Sequence, residues 1–138
     1  MRITGQKVLV ANASRTNFVF VKLTTDEGIE GVGEATLEWK TLTVVAALED
    51  LARNVVGLDP FATDFAVERL HRDSYWRTGA PFRTALGAIE AAMLDIKGKA
   101  LGVPVFELLG GRQRDRVECY ANHWYFGASE PEDYARSA

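Results

Sequence analysis

Residues 83–111 read RTALGAIEAAMLDIKGKALGVPVFELLGG, and this stretch decides the fold. Leu86, Ile89, Met93, Ile96 and Ala100 recur at helical spacing and form one apolar stripe. Ala85, Ala88 and Ala92 set a strip of small side chains beside it. Small side chains let another backbone come close, so this helix is expected to be covered on more than one side. Asp95 and Lys99, four apart with the acid first, can pair on an exposed face. Gly102 offers the left-handed conformation that ends a helix, and Pro104 cannot continue it. A second helical turn, Pro104 to Leu109, stops at Gly110-Gly111.

Upstream, the period changes from helical to alternating. Ile3 to Val10 reads as a strand, Ala11 to Asn17 as a polar loop, Phe18 to Thr24 as a second strand, and Ile29 to Ala35 as a third. Asp26-Glu27-Gly28 predicts a tight hairpin loop with glycine at the left-handed position. Gly31 and Gly33 inside the third strand mark a bulge or a close backbone approach. Thr36 to Lys40 is a loop. Leu42, Val45, Leu48, Leu51, Ala52 and Val55 predict a helix that stops at Gly57. A further helix over about Thr63 to Tyr75 is expected to turn Phe65, Leu70 and the Val67 edge inward, and residues 77–81 break it. The fold class is therefore α+β, a three-stranded antiparallel meander followed by a helical bundle.

Downstream of Gly111 the character changes again. Arg112 to Arg116 is a charged connector, and Val117 to Asn122 reads as a new strand. Ser129-Glu130-Pro131-Glu132 has the form of a capping box with proline in the first turn, so a helix is expected from about Glu130. Strand, loop and helix make one unit of a βα repeat. One such unit cannot bury itself, so residues 112–138 read as the opening of a further domain.

Composition narrows the partners. A chain of 138 residues that is 47% hydrophobic can pack a core, and a net charge of −3 argues against nucleic acid or an anionic membrane surface. No apolar run approaches the ~20 residues of a membrane span. Cys119 is the single cysteine, which excludes an internal disulfide and fits a reducing cytoplasm. Two histidines and one cysteine make a zinc site improbable, and His71, beside Arg69 and Arg72, reads as a surface residue. Glu34, Glu38, Glu130, Glu132 and Asp133 read as solvated charge and helix capping. Gly28, Gly31 and Gly33 lack the lysine and the spacing of a phosphate loop or dinucleotide fingerprint.

Ala88-Ile89-Glu90, residues 95–99 (DIKGK), Gly102-Val103-Pro104 and residues 108–111 (LLGG) resemble the N-terminal signature of the mandelate racemase and muconate lactonizing enzyme family, within the enolase superfamily. The TDEGIEGVGEA segment is similar to the corresponding hairpin of that family. The resemblance spans nearly all of the chain. It implies an enolase-like capping domain over residues 1–111, then a linker and the first βα unit of a (β/α) barrel over residues 112–138. It implies abstraction of a proton next to a substrate carboxylate, with Mg²⁺ held by three carboxylates and a Lys or His base on later barrel strands. No metal ligand and no catalytic residue is assigned within this chain. Two cap loops of the family close over the barrel mouth. Here they would be residues 12–17, where Arg15 meets an anionic substrate, and residues 36–40, where Trp39 supplies an apolar wall and Lys40 a charge. Asn122 and His123, at the end of the first barrel strand, would line the site.

Residues 75–81 and 120–125 are similar to sugar-acid dehydratases of the family. Dehydration of a sugar acid is thus the expected reaction, by a cytoplasmic homo-oligomer acting on a small carboxylate. Racemisation or cycloisomerisation would use the same cap, and an orphan cap serving as a binding or assembly module is the rival outside enzymology. For the helix that anchors this reading, Leu86→Ala or Ile89→Ala is expected to cost on the order of 2–5 kcal/mol in denaturant melts, the loss for a fully buried aliphatic side chain.

Overall fold

The computed structural model describes residues 1–12, 16–120 and 126–137. Strands β1 (Ile3–Asn12), β2 (Asn17–Thr25) and β3 (Glu30–Glu34) form the expected antiparallel sheet in the order β1-β2-β3. The β1–β2 ladder reaches the pair Asn12–Asn17, so both strands run into the segment read as loop. Val19, Val21, Leu23 and Thr25 alternate inward along β2 and are buried, while Phe18 and Lys22 lie on the other face. Gly28 takes φ 76° in the β2–β3 turn, the left-handed position anticipated for it.

Helices α1 (Thr41–Val55) and α3 (Ala80–Leu101) cover the inner face of the sheet, and α2 (Thr63–Asp73) packs against both. The buried face of α1 is Val44, Leu48, Leu51 and Val55, at spacings of four, three and four. Leu42 is 83% exposed, because the stripe begins at Val44, two residues further round the helix. In α2 the buried residues are Thr63, Ala66 and Leu70, and Phe65, expected inside, is 62% exposed. The inward position goes to small Ala66, one residue and about 100° away, where α2 meets α3. Helix α2 also ends at Asp73, short of Tyr75, with Ser74 already extended.

Helix α3 buries Leu86, Ile89, Met93 and Ile96 together with Ala85, Ala88 and Ala92. Ala100 faces solvent at its last turn. Gly102 ends the helix at φ 69°, ψ 27°, and Val103 N–H donates back to the Gly98 carbonyl at 2.9 Å. The small side chains receive β3. A Cβ on Gly33 would stand 2.8 Å from the Ala88 carbonyl carbon and closer still to its oxygen. One on Gly31 would stand 2.7 Å from Ile96 Cγ1 and overlap the Ala92 carbonyl. These glycines mark a close backbone approach, not a bulge.

As the sheet's edge, β3 leaves backbone groups unpaired, and α3 covers them. Asp95 Oδ2 accepts from Val32 N–H at 2.9 Å, and Lys99 Nζ donates to the Glu30 carbonyl at 2.7 Å. The anticipated Asp95–Lys99 pair is present at 2.7 Å and spans this edge, which closes it to another strand.

Beyond α3, the turn α4 covers Val105–Leu108, and Gly111 N–H returns to the Phe106 carbonyl at 2.9 Å. Val117 to Tyr120 is irregular and exposed where a strand was expected, because no described strand lies beside it to pair its backbone. The rest of that expected strand, Ala121 and Asn122, lies outside the described residues. Helix α5 spans Pro131–Ser137. Its opening is capped by Asp133, not Glu132: the carboxylate accepts from Ser129 N–H at 3.3 Å and Glu130 N–H at 3.2 Å. Those two backbone bonds, with Arg136 beside them, hold Asp133 below its ordinary pKa. No described helix is long and apolar enough to cross a membrane.

The β3–α3 contact predicts opposite outcomes for two glycine substitutions. Gly33→Ala is expected to lose roughly 1–3 kcal/mol or more, as overpacking against a backbone cannot relax. Gly87, exposed in α3 with nothing near its would-be Cβ, should gain up to about 1 kcal/mol on changing to alanine. Denaturant melts of the two variants check both signs.

Candidate functional site at the open end of the sheet

The antiparallel order brings two loops to one end of the sheet. Asn12 and Asn17 face each other across the mouth of the β1–β2 hairpin, joined by Asn12 Nδ2 to Asn17 Oδ1 at 3.1 Å. The hairpin tip, with Arg15, lies outside the described residues. At the same end, β3 pairs Glu34 with Phe20 and then leaves the sheet. Its exit is anchored on β2: Ala35 N–H donates to the Val19 carbonyl at 2.7 Å, and Val19 N–H donates to Thr36 Oγ1 at 3.1 Å. Loop 36–40 therefore starts beside the hairpin stem.

The loop closes as a turn, with Lys40 N–H donating to the Leu37 carbonyl at 3.0 Å. Trp39 occupies its third position with φ 61°, the one positive-φ non-glycine residue among those described. That position of a type II turn prefers glycine, because a Cβ there is crowded. The indole gains little packing in return, since Trp39 is 75% exposed. Lys40 is exposed, and its carbonyl accepts from Val44 N–H at 3.0 Å, opening α1. The end of the sheet thus presents a strained aromatic side chain and a lysine on one loop, while Val10 and Phe18 of the hairpin stem are partly exposed on opposite faces of the sheet. An aromatic ring and a cation side by side on one loop suit a small ligand with an apolar face and an anionic group.

Of the residues singled out from sequence, Trp39 and Lys40 fall on this loop, while Arg15, Asn122 and His123 lie outside the described residues. Thr36 is a residue that sequence reading passes over; a threonine at a strand end carries no signal of its own. His71 is half-buried at the surface, with its ring 6.1 Å from Phe82. Among the described residues no three His, Cys, Asp or Glu side chains converge. They do not supply the carboxylate cage that the resemblance implies for Mg²⁺.

The family described as mandelate racemase / muconate lactonizing enzyme, N-terminal domain, matches residues 3–110. A D-galactonate dehydratase of Variovorax paradoxus (strain S110) is 42% identical over 116 residues, which cover 84% of this chain and 30% of that protein. A solved member of the enolase superfamily from Salmonella Typhimurium superposes with a TM-score of 0.91 at 34% identity, covering 99% of this chain and 38% of that one. An enolase from Pantoea ananatis, solved with bound D-gluconate and Mg, gives a TM-score of 0.77 at 37% identity over 82% of this chain and 28% of that one. The chain thus spans about a third of the length of these relatives.

Strain at Trp39 predicts a stability signature. Trp39→Gly is expected to raise stability by about 1 kcal/mol, because relief at positive φ outweighs the entropy of the new glycine. Trp39→Ala keeps the Cβ and should gain nothing. Chemical denaturation of the pair distinguishes backbone strain from loss of the indole.

Proposed function

The chain belongs to the mandelate racemase and muconate lactonizing enzyme family, and from that premise we propose that it is the substrate-covering part of a sugar-acid dehydratase. Residues 1–111 act as the cap, and residues 112–138 as the linker and first unit of a (β/α) barrel. The observation that carries this reading is Trp39. A bulky side chain is held at positive φ and turned outward, on the loop that shares the sheet end with the hairpin. Strain of this kind persists where the surroundings over-determine it, commonly at ligand sites. A relative named for D-galactonate dehydration and a neighbour solved with D-gluconate favour dehydration over racemisation.

Each loop residue then has a role that its chemistry allows. The Trp39 indole walls the carbon chain of the acid and excludes water from it. Lys40, and Arg15 from the hairpin, draw the carboxylate by charge. The reaction removes the hydrogen next to the carboxylate and expels the neighbouring hydroxyl as water, so the enol product relaxes to a keto acid. Mg²⁺, when bound, stabilises the negative charge that develops on the carboxylate. Neither the proton transfer nor the metal is assigned to a residue of this chain, and the 138 residues alone are expected to leave α-hydrogens unexchanged.

The test is turnover by a full-length chain carrying this sequence, given D-galactonate or D-gluconate with Mg²⁺. The expected product is a 3-deoxy-2-keto acid, detected as its semicarbazone. Exchange of the α-hydrogen for solvent deuterium without loss of water would point instead to a racemase. In the active protein, Trp39→Ala is expected to lower kcat/KM roughly 10- to 200-fold, the usual effect of one apolar pocket contact. An unchanged kcat/KM would remove the indole from the site.

A further inference from the structure

We infer that Thr36 is the positioning residue that holds Trp39 toward substrate, a role that rests on the substrate-facing reading of this loop. In a continuing antiparallel ladder, Val19 and Ala35 would exchange both backbone hydrogen bonds. Only one is made: Ala35 N–H donates to the Val19 carbonyl at 2.7 Å. The other partner is replaced, since Val19 N–H donates to Thr36 Oγ1 at 3.1 Å. The hydroxyl closes the ladder in place of the Ala35 carbonyl, and the main chain is free to leave the sheet at this residue. Val19 is fully buried, so its N–H has no water to turn to, and the bond is strongly favoured.

Three residues later stands Trp39 at φ 61°. The intervening turn has two fixed ends. At one, the Lys40 carbonyl accepts from Val44 N–H at 3.0 Å and is tied to α1. At the other, the tie is Thr36. A left-handed tryptophan persists only while both ends are held, because release of either lets φ relax to the ordinary negative region. The threonine hydroxyl is therefore the exchangeable half of the clamp, and α1 the permanent half.

The experiment is NMR on the 138-residue chain without ligand, comparing wild type, Thr36→Val and Thr36→Ser. The readout is the intraresidue N–H to Hα NOE of Trp39, strong at positive φ and weak in extended backbone. Wild type and Thr36→Ser are expected to show it at full strength, and Thr36→Val to lose at least half of it while the amides of α1 keep their shifts. Should Thr36→Val not fold, Thr36→Cys, whose sulfur is a poorer acceptor, is expected to give an intermediate loss. A full-strength NOE in Thr36→Val or Thr36→Cys, or failure of serine to restore it, overturns the proposal. So does a loss accompanied by equal shift changes throughout α1, the mark of a merely structural residue. Because no ligand is present, a negative result leaves the Trp39 substrate contact standing, and a failed turnover assay leaves the Thr36 anchor standing.

Discussion

The fold depends on one close contact, the seating of β3 on α3 with glycine facing alanine. Gly31 and Gly33 lie against the backbone at Ala92 and Ala88, at a distance that admits no Cβ on the strand. Backbone-to-backbone packing of this kind has no flexible side chain to absorb an error. It fixes both the height and the register of β3 on the helix. Asp95 and Lys99 then lock the outer edge, since one accepts from Val32 N–H and the other donates to the Glu30 carbonyl. The apolar stripe of α3 supplies the driving force for burial. The glycine–alanine contact and the two polar clips decide where the strand comes to rest.

That placement carries through to the loops. With β3 fixed, Ala35 is fully buried, and the exit of the chain from the sheet is set against Val19. Loop 36–40 has few residues in which to turn before α1 begins, and α1 is itself held by Val44, Leu48, Leu51 and Val55 in the core. A turn this short between two fixed points meets its geometry by putting one residue at positive φ. That the residue is tryptophan, exposed and without compensating packing, separates this loop from an ordinary connector. The strain is local, while the support for it is spread over the sheet and two helices.

Much of this was legible in residues. The α3 stripe, its strip of alanines, the stop at Gly102 and the turn at Gly28 follow from side-chain size, spacing and backbone freedom, which are local properties. The glycines of β3 were legible as a question with two answers, and the helix supplies the answer. The phase of the shorter helices was less so. Leu42 and Phe65 are as apolar as their buried neighbours, and only the tertiary packing of α1 and α2 decides that Val44 and Ala66 face inward. Val117 to Tyr120 has the composition of a strand, but a strand is made by its partner, and none of the described strands is beside it. At the candidate site, residue type pointed to Trp39 and Lys40. The positive φ and the Thr36 bond were invisible because they arise from two elements meeting far apart in sequence. The expected roles of Arg15, Asn122 and His123 concern positions outside the described residues.

If the seat of β3 on α3 holds loop 36–40 against a sugar acid, as proposed, the strained Trp39 meets that acid directly. The most direct measurement is a crystal structure of a full-length chain carrying this sequence, with D-gluconate and Mg²⁺ bound. The Trp39 indole is expected in van der Waals contact with the bound acid, with Trp39 still at positive φ. A bound acid with Trp39 turned away from it, or with φ relaxed to the negative region, would remove the loop from the site.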